Sequence, residues 1–145
     1  KELDLFMFIG DNVYGDQEDG ELDKLIRTYK QQYNNLEDFL KNVSTEFIWD
    51  DHDFGLNDGG SNYRYKDTAK ELFLETWQIP ANDPRRQRDG LYFDKMLKKN
   101  GMKIHLIFYV FRTGWVWDWN AMLPARCPFG QNLSLSLRNF KTIQI

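Results

Sequence analysis

Two short apolar runs, each ending in carboxylates, constrain this chain more than any other feature. The first is Leu5-Phe6-Met7-Phe8-Ile9, followed by Gly10 and Asp11. The second is Glu46-Phe47-Ile48-Trp49, followed by Asp50, Asp51, His52 and Asp53. A continuous apolar run of this length fits a strand buried on both faces. The strands are expected over about Asp4–Ile9 and Glu46–Trp49. Between them Leu22, Leu25, Ile26, Tyr29, Tyr33, Leu36, Phe39 and Leu40 recur at helical spacing, with Asn34-Asn35 as the place for a break. Strand, crossover helix and strand make the two strands parallel. Their carboxylate ends then share one edge of a sheet, where open α/β sheets bind ligands.

The second strand end is the denser of the two. Ile48 to Asp58 places four carboxylates, one imidazole and one carboxamide in eleven residues. Like charges a few Å apart repel, and a cation among the oxygens removes that cost. Hard cations take carboxylate oxygens, and iron or zinc also takes imidazole. A metal site in the loop after a strand is one reading, and a solvated acidic turn is the other. An EF-hand fails on spacing: counted from Asp11, position three is Val13 and position six is Asp16, not an oxygen ligand and Gly.

Gly10, Asp11 and Tyr14 form Gly-Asp-x-x-Tyr, which resembles the second metal motif of metallophosphoesterases in the form that purple acid phosphatases use. Trp49-Asp50-Asp51-His52-Asp53 resembles the corresponding block of the PhoD-like (alkaline phosphatase D) branch, where calcineurin-like enzymes carry Gly-Asn-His-Asp/Glu. The likeness continues through Tyr29-Lys30-Gln31-Gln32-Tyr33, Gly55-Leu56-Asn57-Asp58-Gly59-Gly60, Lys70-Glu71-Leu72-Phe73-Leu74 and Pro84 to Tyr92, about residues 4–107 in all. It implies a layered α/β sandwich, here partial, and a metal-dependent phosphoester hydrolase or an incomplete piece of one. It implies a binuclear centre of iron and calcium, or other divalent cations, and a phosphoester substrate. Asp11 would correspond to the carboxylate bridging two metals and Tyr14 to the iron-binding phenolate. Asp51 stands at the ligand Asn position. His52 would face the phosphoryl group, stabilising its oxygens or protonating the leaving oxygen. Asp16, Asp50, Asp53 and Asn57 are either partners behind these ligands or surface residues.

The chain also departs from the family pattern. An earlier Asp motif would lie before Lys1, so the N-terminal part of the domain is expected to be missing. The family's later His motifs have no candidate, because His105 falls in the strand pattern Lys103–Ile107 and reads as an ordinary strand residue. Where the family has Leu-Asp-x-Arg, this chain reads Phe108-Tyr109-Val110-Phe111-Arg112. A non-catalytic metal-binding or interaction domain that keeps the loops is therefore the alternative function.

A second helix is expected over about Lys66–Trp77, stopping before Pro80. A further strand begins near Leu91-Tyr92-Phe93, which completes an α/β alternation. Arg85, Arg86 and Arg88 precede it, either steering phosphate or paired with nearby carboxylates.

Charge divides the chain. Residues 1–94 carry 11 basic and 21 acidic side chains, and residues 95–145 carry 8 and 1. A partial phosphatase-like domain over 1–112 is expected, with an atypical tail over 113–145. Trp115, Trp117 and Trp119 alternate there, as do Leu133, Leu135 and Leu137. A tail outside the family frame is the first reading and a strand-rich insertion the second. The basic residues read as scattered, without a nucleic-acid motif. Nothing approaches about 20 consecutive apolar residues, so no membrane span is expected. No signal-peptide pattern opens the chain, and the compartment and oligomeric state stay open. The single Cys127 excludes an internal disulfide.

Overall fold

The computed structural model describes residues 3–110. The tail expected from residue 113, with its Trp and Leu alternations and Cys127, lies outside the described residues.

The chain runs β1 (Phe6–Ile9), α1 (Asp23–Asn42), β2 (Thr45–Ile48), α2 (Asp51–Phe54), α3 (Lys66–Thr76), a 3-10 turn (Pro84–Gln87), β3 (Phe93–Lys99) and β4 (Met102–Phe108). It is an α/β chain with two small sheets. β1 and β2 pair in parallel, Phe6 opposite Thr45 through Ile9 opposite Ile48. β3 and β4 form an antiparallel hairpin.

Alternation along β1 and β2 sends side chains to two different layers. Phe8 and Phe47 stack at 4.9 Å and Trp77 lies on Phe47 at 4.1 Å, which binds the sheet to α3. Leu25 and Tyr29 of α1 and Phe73 and Leu74 of α3 complete that core with no exposure. The opposite face carries Leu5, Met7 and Ile48, which pack on Phe93 and Phe108 of the hairpin. The sheet is thus buried on both faces, as its uninterrupted apolar runs require.

α1 is unbroken across Asn34-Asn35. Both side chains are exposed and cost the helix only their modest propensity, a few tenths of a kcal/mol each. Ile26, expected on the apolar stripe, is 48% exposed. Two further differences concern the loops. Asp51–Phe54 is a helical turn rather than open loop, because Asp50 and Asp53 cap it reciprocally. The strand after Leu91 becomes a full hairpin, turned by Asn100 (φ 49°) and Gly101 (φ 79°). Among the described residues no helix is long and apolar enough to cross a membrane.

The arginines before β3 serve this architecture. Arg85 is 3% exposed. It donates twice to Asp83 at 2.8 Å, reaches the Phe47 carbonyl at 3.4 Å and lies 3.9 Å above the Phe93 ring. Arg86 pairs with Glu71 and Glu75 and donates to the Ile79 carbonyl. Arg88 donates to the Tyr92 carbonyl at 3.0 Å. Of the two readings of this loop, the geometry matches pairing with nearby carboxylates for Arg85 and Arg86.

Candidate metal centre

Gly10 ends β1 with φ 104°, and a Cβ there would stand 2.9 Å from the Asp50 Cβ. Only a glycine lets the two strand-end loops approach this closely. The next residue, Asp11, has φ 50°, a left-handed conformation that side chains other than Gly, Asn and Asp seldom adopt. Such backbone strain costs of order 1–3 kcal/mol and concentrates at functional sites.

Asp53 locks this arrangement. It has no exposure, and it joins the two loops. Its Oδ2 accepts from the Asn12 N–H (3.1 Å), the Asn12 Nδ2 (3.1 Å) and the Asp50 N–H (3.0 Å), while Oδ1 accepts from the Val13 N–H (3.2 Å). Burial pushes its carboxyl up to about 7, against the N–H bonds from Asp50, Asn12 and Val13, which pull it down. Tyr29 of α1 closes the other side, donating its hydroxyl to the Asp53 carbonyl at 3.0 Å. Burial, with Asp53 beside it, holds the Tyr29 phenol well above its ordinary range. Asp53 and Asp50 therefore build the loop rather than face a ligand.

On this frame Asp11, Asp51 and His52 each present a ligand atom, all within 4.8 Å of one another. They stand at the same end of β1 and β2, as the parallel pairing demands. Among the described residues no other such group of three is found. The Tyr14 hydroxyl donates to Asp11 Oδ2 at 3.1 Å. That bond and the Asp11 charge raise the Tyr14 phenol above its ordinary value. Asp51 is buried, and its Oδ2 accepts from the Asp58 N–H at 3.1 Å.

His52 Nδ1 lies 2.6 Å from Asp16 Oδ1, and its ring is 4.4 Å from that of Tyr14. A carboxylate only accepts, so Nδ1 is the donor and Nε2 remains for other work. Burial pulls the imidazole down, but Asp16, Asp11 and Asp51 outweigh it and the net shift is upward. Asp16 thus stands behind His52. Asn57 is exposed. The structure therefore gathers Asp11, Tyr14, Asp16, Asp51 and His52, and assigns Asp50 and Asp53 to the frame.

The donor set fits a hard cation. Asp11 Oδ1 is buried and has no hydrogen-bond partner. A buried carboxylate oxygen without a partner is costly, and a cation at that oxygen would remove the cost. Two carboxylates and a phenol oxygen match iron or calcium, and His52 stands beside them with Nε2 unused. Asn12, outside the expected site residues, is 7% exposed and ties Asp53 to the Ile48 carbonyl at 2.9 Å. Its signal was an amide wedged between a strand-end Asp and an apolar Val. Comparison of the chain with protein-family models, with curated proteins and with solved structures finds no match in any of the three.

Proposed function

We propose that this chain carries part of a metal-dependent phosphoester hydrolase site, set on the strand ends of a partial layered α/β sandwich of metallophosphoesterase type. The reading rests on its likeness to PhoD-like phosphatases. The observation that carries it is the convergence of Asp11, Asp51 and His52 within 4.8 Å, with the unpartnered Asp11 Oδ1 among them. Asp11, Tyr14 and Asp51 would hold the cation, from the iron, calcium or other divalent set. When bound, it would supply Lewis-acid stabilisation of a phosphoryl oxygen and acidify a bound water.

The remaining work falls to this chain's own residues. Asp16 orients His52 through Nδ1. Nε2 of His52 then donates to a phosphoryl oxygen or gives its proton to the leaving oxygen. Tyr14 must lose its phenolic proton to act as a ligand, and its hydrogen bond to Asp11 opposes that loss. Cation binding is therefore expected to release a proton and to tighten as pH rises.

Two-metal hydrolysis fixes cations about 3.5–4 Å apart with a full ligand set. The described residues furnish one cluster. A non-catalytic metal-binding or interaction domain is the second reading, and that single cluster favours it for the chain acting alone. The test is p-nitrophenyl phosphate hydrolysis with added iron and calcium, for the chain and its Asp11→Ala and Asp51→Ala variants. Slow turnover that both substitutions abolish supports the hydrolase reading. Cation binding without turnover supports the second, and turnover indifferent to both substitutions contradicts both.

A further inference from the structure

We propose that the outer face and tip of the β3–β4 hairpin dock on an anionic lipid bilayer surface. Four of the eight basic residues of the segment 95–145, Lys95, Lys98, Lys99 and Lys103, lie on this one hairpin. Two of them are occupied. Lys95 pairs with Glu46 at 2.6 Å, and Lys99 pairs with Asp4. Lys98 and Lys103 have no carboxylate partner among the described residues, and the ladder sets them directly opposite each other. Like charges so placed destabilise a strand pair. The Asn100-Gly101 turn matches the strand twist and holds the pair in place. An anionic surface laid against the tip would turn this repulsion into attraction.

The apolar side chains around the lysines select the kind of anion. The inner face of the hairpin, with Phe93 and Phe108, is spent on the core. On the outer face Met96 is 49% and Ile107 55% exposed, and Met102 beside the turn is 62% exposed. Ammonium groups among exposed aliphatic side chains match a headgroup layer over an acyl boundary. A nucleic-acid surface would leave those side chains without a role, and the hairpin holds no arginine, the commonest reader of base edges. Residues 1–94, with 11 basic and 21 acidic side chains, would repel the same bilayer. On the outer face itself Asp94, opposite Ile107, is paired with His105 at 2.8 Å and lies at the end away from the turn, so docking is tip-first.

The test is co-sedimentation of the 145-residue chain with vesicles of phosphatidylserine and phosphatidylcholine, and of phosphatidylcholine alone. Binding to the first, weakening with added salt, is expected. Lys103→Glu replaces the repelling pair with a cross-strand ion pair. Its melting temperature should hold or rise while binding falls about thirtyfold, from two units of charge. Lys98→Gln removes one charge and should cost about fivefold. Met102→Ser should weaken binding several-fold at unchanged charge. No sedimentation with the anionic vesicles, equal binding to the neutral ones, or wild-type binding by a folded Lys103→Glu variant would overturn the proposal. So would retention on a DNA duplex in preference to the vesicles.

Discussion

Asp53 and Asp11 are both strand-end carboxylates, yet the fold uses them in opposite ways. Asp53 accepts four N–H bonds from Asn12, Val13 and Asp50, whereas one buried oxygen of Asp11 accepts none. The first is structural and the second is free for a ligand. Asp53→Ala would leave those donors buried and unpaired, each at about 1–3 kcal/mol. Allowing for relaxation, a loss of about 3–4 kcal/mol in urea unfolding is expected. Asp11→Ala should cost less, about 1–2 kcal/mol, for the lost Tyr14 bond and an alanine held at φ 50°. Equal losses would remove the distinction. The sequence shows that carboxylates crowd here, because they follow apolar runs. It does not show which oxygen meets an N–H, because that depends on how closely the two loops approach across Gly10.

The elements themselves were largely legible. β1, α1, β2 and α3 announce themselves through uninterrupted apolar runs and helical spacing, and their observed bounds differ from expectation by one or two residues. The cap that makes α2 helical depends on Asp50 and Asp53 bonding each other's N–H groups, which spacing alone leaves open. Asn100-Gly101 between the two strand patterns is a hairpin signal, and both residues take positive φ in the turn. The 3-10 turn of Pro84–Gln87 gives a pH prediction. Asp83 accepts from the side chain and N–H of Arg85, which hold its carboxyl below the ordinary value against a smaller upward push from burial. A depressed carboxyl contributes stability above its unfolded value, near 4, and loses it as pH falls through the folded value. The urea midpoint of the chain should therefore fall more steeply between pH 5 and pH 3 than that of Asp83→Asn (roughly the window set by the Asp reference value). Parallel curves would show that the ion pair adds nothing.

For the whole molecule, the sheet buried between a helical layer and a hairpin explains why the site lies at one end of β1 and β2. The parallel pairing, forced by the α1 crossover, brings Asp11 and Asp51 to the same edge although 40 positions separate them in the sequence. That Asp11, Tyr14, Asp51 and His52 gather at one edge was readable from residue type and the strand pattern. The roles of Asp16 and Asn12 were not, since one reaches His52 and the other Asp53 across 36 and 41 positions of sequence.

The most direct test of this account is isothermal titration calorimetry of the chain with calcium, and with ferric ion held soluble by a weak chelator. Wild type should show saturable binding of one cation, with proton release. Asp11→Ala and Asp51→Ala should each lose it while remaining folded by circular dichroism. Wild-type affinity in both folded variants, or no saturable heat from the wild type with either cation, would contradict the assignment of a metal centre to these strand ends.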